Sequence, residues 1–154
     1  MFSGVMLHMA SLDMHDSNYN NTIQCIFELD KSIICAVIAN LANAKIIATK
    51  YKEDAVLRRL TRQESELLTM QSLIRMGTRR TLEYKLGRAL YSSTVYEKVS
   101  TASICLSTQQ ERDNGNDSIL MLTFDKNADH EGIINSKILP FLNDSRKHSV
   151  VFDQ

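Results

Sequence analysis

The run from Ser32 to Ala39 (Ile33, Ile34, Cys35, Ala36, Val37 and Ile38 between them) constrains this chain most. It carries no charge, is rich in β-branched side chains and has the length of a strand, far short of a membrane span. A strand that is apolar at successive positions is buried on both faces, so its sheet must be covered on both sides. Asn40 to Asn43 supplies a turn, because Asn tolerates the left-handed backbone that tight hairpins need. Ala44 to Tyr51 returns as the second strand. Ahead of this hairpin, Thr22 to Lys31 places Ile23, Ile26, Phe27 and Asp30 at helical spacing, which predicts a short helix.

A charged connection, Lys52 to Leu60, leads to Thr61-Arg62-Gln63-Glu64, the signature of a capping box. From there Leu67, Met70, Leu73, Ile74 and Gly77 form one helical stripe. The helix is predicted from Arg62 to about Lys85, with Gly87 as its stop. The alternation in Leu82 to Leu86 leaves a strand there as the competing assignment. Arg88 to Glu97 and Val99 to Ser107 are strand-like and meet at Glu97-Lys98, whereas Thr108 to Asp117 is wholly polar, with a turn at Asn114-Gly115-Asn116. Ser118 to Asp125 is another buried strand. Asp129 is placed to cap a last helix with Ile133, Ile134, Ile138 and Leu142 on its apolar side, and Pro140 predicts a kink or a stop within it.

This order, α-β-β-α-β-β-β-α, predicts an α+β domain with one mostly antiparallel five-stranded sheet, a long helix and two shorter ones. The domain is expected over residues 22–143, after a disordered leader (1–21) and before a flexible tail (144–154). At 154 residues the chain suits a single domain. Its leader lacks a basic n-region and meets Asp13 and Asp16 at once, so a signal peptide is not expected and a cytoplasmic protein is. The same leader carries Met1, Met6, Met9, Met14, His8 and His15, side chains that suit copper, but a leader without fixed structure is the preferred reading. The cysteines, Cys25, Cys35 and Cys105, are odd in number and scattered; they read as small core hydrophobes rather than disulfide partners.

The element order resembles the roadblock/LC7 domain of dynein light chains and GTPase-regulating complexes, and fits the wider profilin-like group to which PAS-type sensory modules are related in shape. Phe27-Glu28-Leu29-Asp30, Leu86-Gly87 and Asp129-His130-Glu131 are locally similar to an uncharacterised family of short proteins from ammonia-oxidising archaea, a likeness spanning about Thr22 to Asn143. The first resemblance implies a non-catalytic interaction or scaffold module, a homodimer that regulates a small GTPase or assembles a complex. The second carries no known activity.

The chemistry readable from the residues agrees with a non-enzyme. Glycines stand only at 4, 77, 87, 115 and 132, so neither a P-loop nor a dinucleotide fingerprint can be written. Asp129-His130-Glu131 is the one compact acid–imidazole cluster, but neighbours on a helix diverge by about 100°, so a helix cap is preferred over a catalytic or metal centre. No cofactor, metal or catalytic residue is expected. Net charge is zero, yet Lys45 to Lys98 holds twelve basic and six acidic residues. Arg75, Arg79, Arg80 and Arg88 are the candidate contacts to an acidic partner or anion, with a plain solvated face as the alternative. Leu68 and Met76 fall off the predicted core stripe on a helical wheel. With Met70 and Ile74 they are the candidate dimer interface, with packing against a neighbouring loop as the alternative. Two further functions stay open: a PAS-like ligand sensor, and a nucleic-acid or anion binder through the arginine-rich helix.

Overall fold

The computed structural model describes residues 12–52 and 61–144, with the backbone alone for residues 12–17. The connection 53–60, the first eleven residues and the tail beyond Asp144 lie outside the described residues. Helix α1 (Leu12–Leu29) begins at Leu12 rather than Thr22, within the segment expected to be a leader. Its extension follows from Tyr19, which continues the spacing of Ile23, Ile26 and Phe27 and packs on the same core.

Strands β1 (Ile33–Asn40) and β2 (Lys45–Tyr51) form the expected hairpin. Its turn works differently from the expectation: the left-handed position is Ala44 (φ 53°). The asparagines act through their side chains, the Asn43 N–H donating to Asn40 Oδ1 and the Lys45 N–H to Asn43 Oδ1, both at 3.2 Å. Helix α2 (Arg62–Arg79) opens with both bonds of the capping box: the Glu64 N–H donates to Thr61 Oγ1 at 3.1 Å and the Thr61 N–H to Glu64 Oε1 at 2.8 Å. A 3₁₀ turn (Arg80–Leu82) and the one-turn helix α3 (Glu83–Leu86) continue it, so Leu82 to Leu86 is helical and not a strand. Gly87 ends the run at φ 87°, ψ 178°, a conformation open to little besides glycine.

Strands β3 (Tyr91–Val95) and β4 (Val99–Cys105) pair in unbroken register. The polar stretch that follows, expected to be a loop with a turn at Asn114-Gly115-Asn116, holds helix α4 (Gln109–Asp113), with its own capping box from Thr108 and Glu111. Strand β5 (Ser118–Asp125) leads to α5 (His130–Ile133), capped by Asp129. Pro140 does not stop this last helix. A π-helical turn (Ile134–Ile138) comes first and the helix then runs on through 139–144. The wider turn relieves the clash of the proline ring with the carbonyl one turn back.

All four strand pairings are antiparallel, in the order β2-β1-β5-β4-β3, so this is an α+β fold with a single five-stranded sheet. β1, β4 and β5 are buried on both faces, as their apolar runs require. One face carries the main core: Ile23 and Ile26 of α1 and Ile134, Ile138 and Leu142 of the last helix close over Ile38, Ile104, Leu120, Leu122 and Phe124. Helix α2 covers the other face, where Leu73 and Met76 meet Ala39 and Ile119. Toward β4 this second layer becomes small and polar. Ser65, Thr69 and Ser72 of α2 are buried, Ser65 beside the Cys35 thiol of β1, and the strands carry buried Thr101, Ser103 and Thr123 on β4 and β5. The Ser72 and Ser103 hydroxyls both donate to Met121 Sδ, at 3.3 and 3.5 Å. Of the cysteines, Cys35 and Cys105 are buried as expected, whereas Cys25 is exposed on α1.

Candidate interaction surface

The sheet leaves two edges, and they differ. β2 carries Lys45 and Lys50 and a register irregularity where Ile38 and Ala39 pair with it. Charge and bulges are the usual protection of an edge against pairing. β3 reads Tyr91-Ser92-Ser93-Thr94-Val95, regular and uncharged, and among the described residues no strand pairs with its far side.

Beside β3 lies the outer face of α2. Leu67 is 59% and Ile74 73% exposed, and Val95 at the end of β3 is 70% exposed. The Arg75 guanidinium donates to Thr94 Oγ1 at 3.3 Å and ties the helix to the strand. A groove of about 500 Å³ runs between the start of α2 and the β3–β4 turn, lined by Leu67, Leu68, Tyr96 and Val99 with Glu64 and Lys98 also on its wall.

The structure corrects where the candidate interface residues point. Met76 is 1% exposed and belongs to the core with Leu73 and Ile119. Leu68 is half-buried against Cys35, Val37 and Met121, and Met70 is half-buried at the Leu73–Met76 cluster. Of the four, Ile74 alone stands clear of the fold, and Leu67, assigned to the core stripe from sequence, stands clear with it. The wheel errs because it seeks an apolar stripe, whereas α2 also buries Ser65, Thr69 and Ser72 against a sheet surface that is hydroxyl-bearing in part.

The four candidate arginines also divide. Arg75 and Arg79 are exposed. Arg80 turns inward to an ion pair with Asp117 and donates to Cys105 Sγ at 3.3 Å, while Arg88 donates to the same sulfur at 3.1 Å. Burial, with Arg112 and Arg88 nearby, pulls the Arg80 guanidinium below its usual value despite the opposing pull of Cys105 and Glu83. Glu83 completes this buried network, pairing with Arg112 and accepting the Ala89 N–H at 2.8 Å. Burial works to raise Glu83, but the Ala89 N–H and Arg112 outweigh it and hold the carboxyl below its ordinary range. Arg80 and Arg88 therefore fasten α3 and the α4 loop to the sheet. Their partners, Cys105 and Asp117, lie far along the chain, and no local pattern signals them.

Asp129 caps α5 by accepting the Gly132 N–H at 3.2 Å, and the His130 ring lies 6.0 Å from that of Phe124, tilted by 47°. Among the described residues, no three His, Cys, Asp or Glu side chains gather in a way that would hold a metal ion. Nor is any helix there long and apolar enough to cross a membrane.

Solved structures with a similar arrangement include those of roadblock/LC7-type proteins. The chain is similar to an MglB with a tetrameric arrangement, with a TM-score of 0.56 and 11% identity over 89% of this chain and 86% of that one. It is similar to the gliding protein MglB from Thermus thermophilus, with a TM-score of 0.55 and 11% identity over 86% of this chain and 84% of the other. A Roadblock/LC7 domain from Streptomyces avermitilis gives a TM-score of 0.57 and 8% identity, over 84% and 95%. At such identities the likeness establishes a roadblock/LC7-like fold. No protein-family model and no curated protein matches the chain.

Proposed function

We propose that this chain is a non-catalytic interaction module that works as a homodimer, joined along β3 and the outer face of α2. One observation carries the proposal: among the described residues the regular, uncharged edge of β3 has no partner strand and lies beside exposed Leu67, Ile74 and Val95, while the opposite edge is guarded. An open strand edge offers unspent backbone donors and acceptors, and apolar side chains beside it supply the burial that makes pairing favourable. Self-association of one MglB in a tetrameric arrangement supports the reading by likeness of fold. Regulation of a small GTPase, or assembly of a larger complex in the cytoplasm, is the role such a scaffold would serve.

Light scattering tests it on the wild type and on a Leu67→Glu, Ile74→Glu double variant. A dimer that the substitutions split into folded monomers supports the proposal. A wild-type monomer, or a dimer indifferent to both changes, refutes it. The groove beside Leu67 and Tyr96 is what favours the second reading, a ligand-sensing module. A small apolar compound that shifts the melting temperature of wild type, and not of Leu67→Glu, would support it. With Arg80 and Arg88 engaged internally, the exposed pair Arg75 and Arg79 suits a protein partner better than a track of nucleic-acid phosphates.

A further inference from the structure

A second exposed surface lies beyond the end of α2, on residues 82–90, apart from the β3 edge and the outer face of α2. Leu82 (51%), Tyr84 (86%), Leu86 (76%) and Leu90 (59%) are all large, apolar and exposed within this one short segment. Single exposed apolar residues are ordinary on a protein surface, but four together mark a contact site. Along the chain the charge around them is mostly of one sign. From residue 75 to 90 the chain carries five cations, Arg75, Arg79, Arg80, Lys85 and Arg88, and one acid, Glu83. That acid is turned inward: its carboxylate is held by Arg112 and by the Ala89 N–H, and its side chain is 13% exposed. Arg80 and Arg88 point inward as well, so the charges presented outward are Arg75, Arg79 and Lys85.

The segment is also held still. The Gly87 N–H donates to the Glu83 carbonyl, the Cys105 N–H donates to the Leu90 carbonyl, and the Glu83–Arg112 pair fastens the middle. A surface fixed before binding loses little entropy when a partner arrives.

We propose that residues 82–90, with Arg79, form a docking site for an acidic amphipathic peptide segment of another protein, its apolar side chains meeting Tyr84 and Leu86 and its carboxylates meeting Arg79 and Lys85. A peptide fits better than a bilayer because Lys85 stands between Tyr84 and Leu86 in the chain. On this helical turn Tyr84 and Leu86 diverge to either side of Lys85 by about 100° each, so a cation divides the apolar groups and they form no flat apolar layer for a bilayer to cover. The site does not depend on the β3 edge or on the dimer proposed above.

The test uses the full chain and a phage-displayed library of random peptides of about 16 residues, long enough for a helix of four turns. Two variants accompany the wild type: Tyr84→Ser, Leu86→Ser and, separately, Arg79→Glu, Lys85→Glu. All four positions are exposed, so circular dichroism and melting temperature should match wild type in both. The expected result is recovery of peptides with Asp or Glu interleaved with Leu, Phe or Trp. By fluorescence anisotropy a recovered peptide should bind each variant at least about tenfold more weakly than wild type, and should weaken further as NaCl rises from roughly 50 to 300 mM. Recovery of no peptide, of peptides without acidic enrichment, or of peptides that bind both variants as well as wild type overturns the proposal. Co-pelleting of wild type, but not the variants, with phosphatidylcholine vesicles holding about 30% phosphatidylserine would put a membrane in the peptide's place. A fall in solution mass of the Tyr84→Ser, Leu86→Ser variant would instead assign the surface to a second copy. Either of these last two results also overturns the proposal.

Discussion

Replacing Asp30 by Asn isolates one electrostatic contribution whose size and pH window follow from the structure. The Asp30 carboxylate accepts Lys137 Nζ at 2.8 Å from the last helix and the Ser32 N–H at 2.9 Å at the start of β1. The Lys137 contact first, and the Ser32 hydroxyl next, hold its pKa at about 2 against an ordinary 3.8. A carboxylate whose folded pKa is depressed adds stability that is complete above its unfolded value and is lost as pH falls through the folded one. Taken whole, a shift of nearly two units is worth about 2.4 kcal/mol. Lys137 is 46% exposed, however, and solvent screening brings the expected contribution to about 1–1.5 kcal/mol. Urea unfolding of wild type and Asp30→Asn at a series of pH values measures it. The variant should be less stable by about 1–1.5 kcal/mol near pH 6, with the gap closing between about pH 4 and pH 2. Asn retains an acceptor for the Ser32 N–H, so little should remain at the acid end. A gap that stays constant with pH, or widens on acidification, refutes the reasoning.

Three other substitutions probe separate parts of the fold. Met76→Ala should cost about 2–5 kcal/mol in urea unfolding, because it empties a site in the Leu73–Ile119 cluster. Ile74→Ala two residues away should stay within about 0.5 kcal/mol for the dilute monomer, and the reverse order would restore the helical-wheel stripe as the core. Gly87→Ala places a side chain at φ 87°, ψ 178° and should cost about 1–3 kcal/mol, read as a lowered melting temperature. Glu83→Ala strips Arg112 of its nearer carboxylate, leaving Asp117 at 3.9 Å, and should cost about 2–3 kcal/mol by calorimetry. Glu83→Gln should cost less, since it still accepts the Ala89 N–H.

What could be read from the sequence was mostly what neighbouring residues determine together. Thr61 and Glu64 announce a helix start because both bonds of the box close within one turn. The apolar runs in β1 and β5 announce buried strands because nothing else can hold them. Thr108-Gln109-Gln110-Glu111 carries the same box, yet no apolar stripe follows it, and the stretch reads as loop. Distance along the chain hid the rest. Arg80 looks like part of a basic helix face until Asp117 is folded against it. Met76 looks like a surface residue because the surface beneath α2 is partly built of Thr101, Ser103 and Thr123, and a search for apolar periodicity passes over serine and threonine. The candidate site suffered most, since deciding which of Leu67, Leu68, Ile74 and Met76 faces outward depends on that sheet surface.

The hydroxyl seam between α2 and the sheet bears on the order in which the molecule comes apart. Serine and threonine contacts let the helix lie close to the strands but bring little apolar area out of water, so α2 is held by Leu68, Leu73 and Met76, and its first turn around Ser65 is held least. The opposite layer, where isoleucines of α1 and of the last helix close over Phe124 and Leu122, has no such seam. Amide hydrogen exchange should therefore begin at the Ser65 end of α2 while β1 and β5 stay protected to the limit of global unfolding. The helix that offers Leu67 and Ile74 to a second subunit is thus the first to let go, and pairing along it would appear as slowed exchange at Ser65, Thr69 and Ser72, residues that the partner itself never touches.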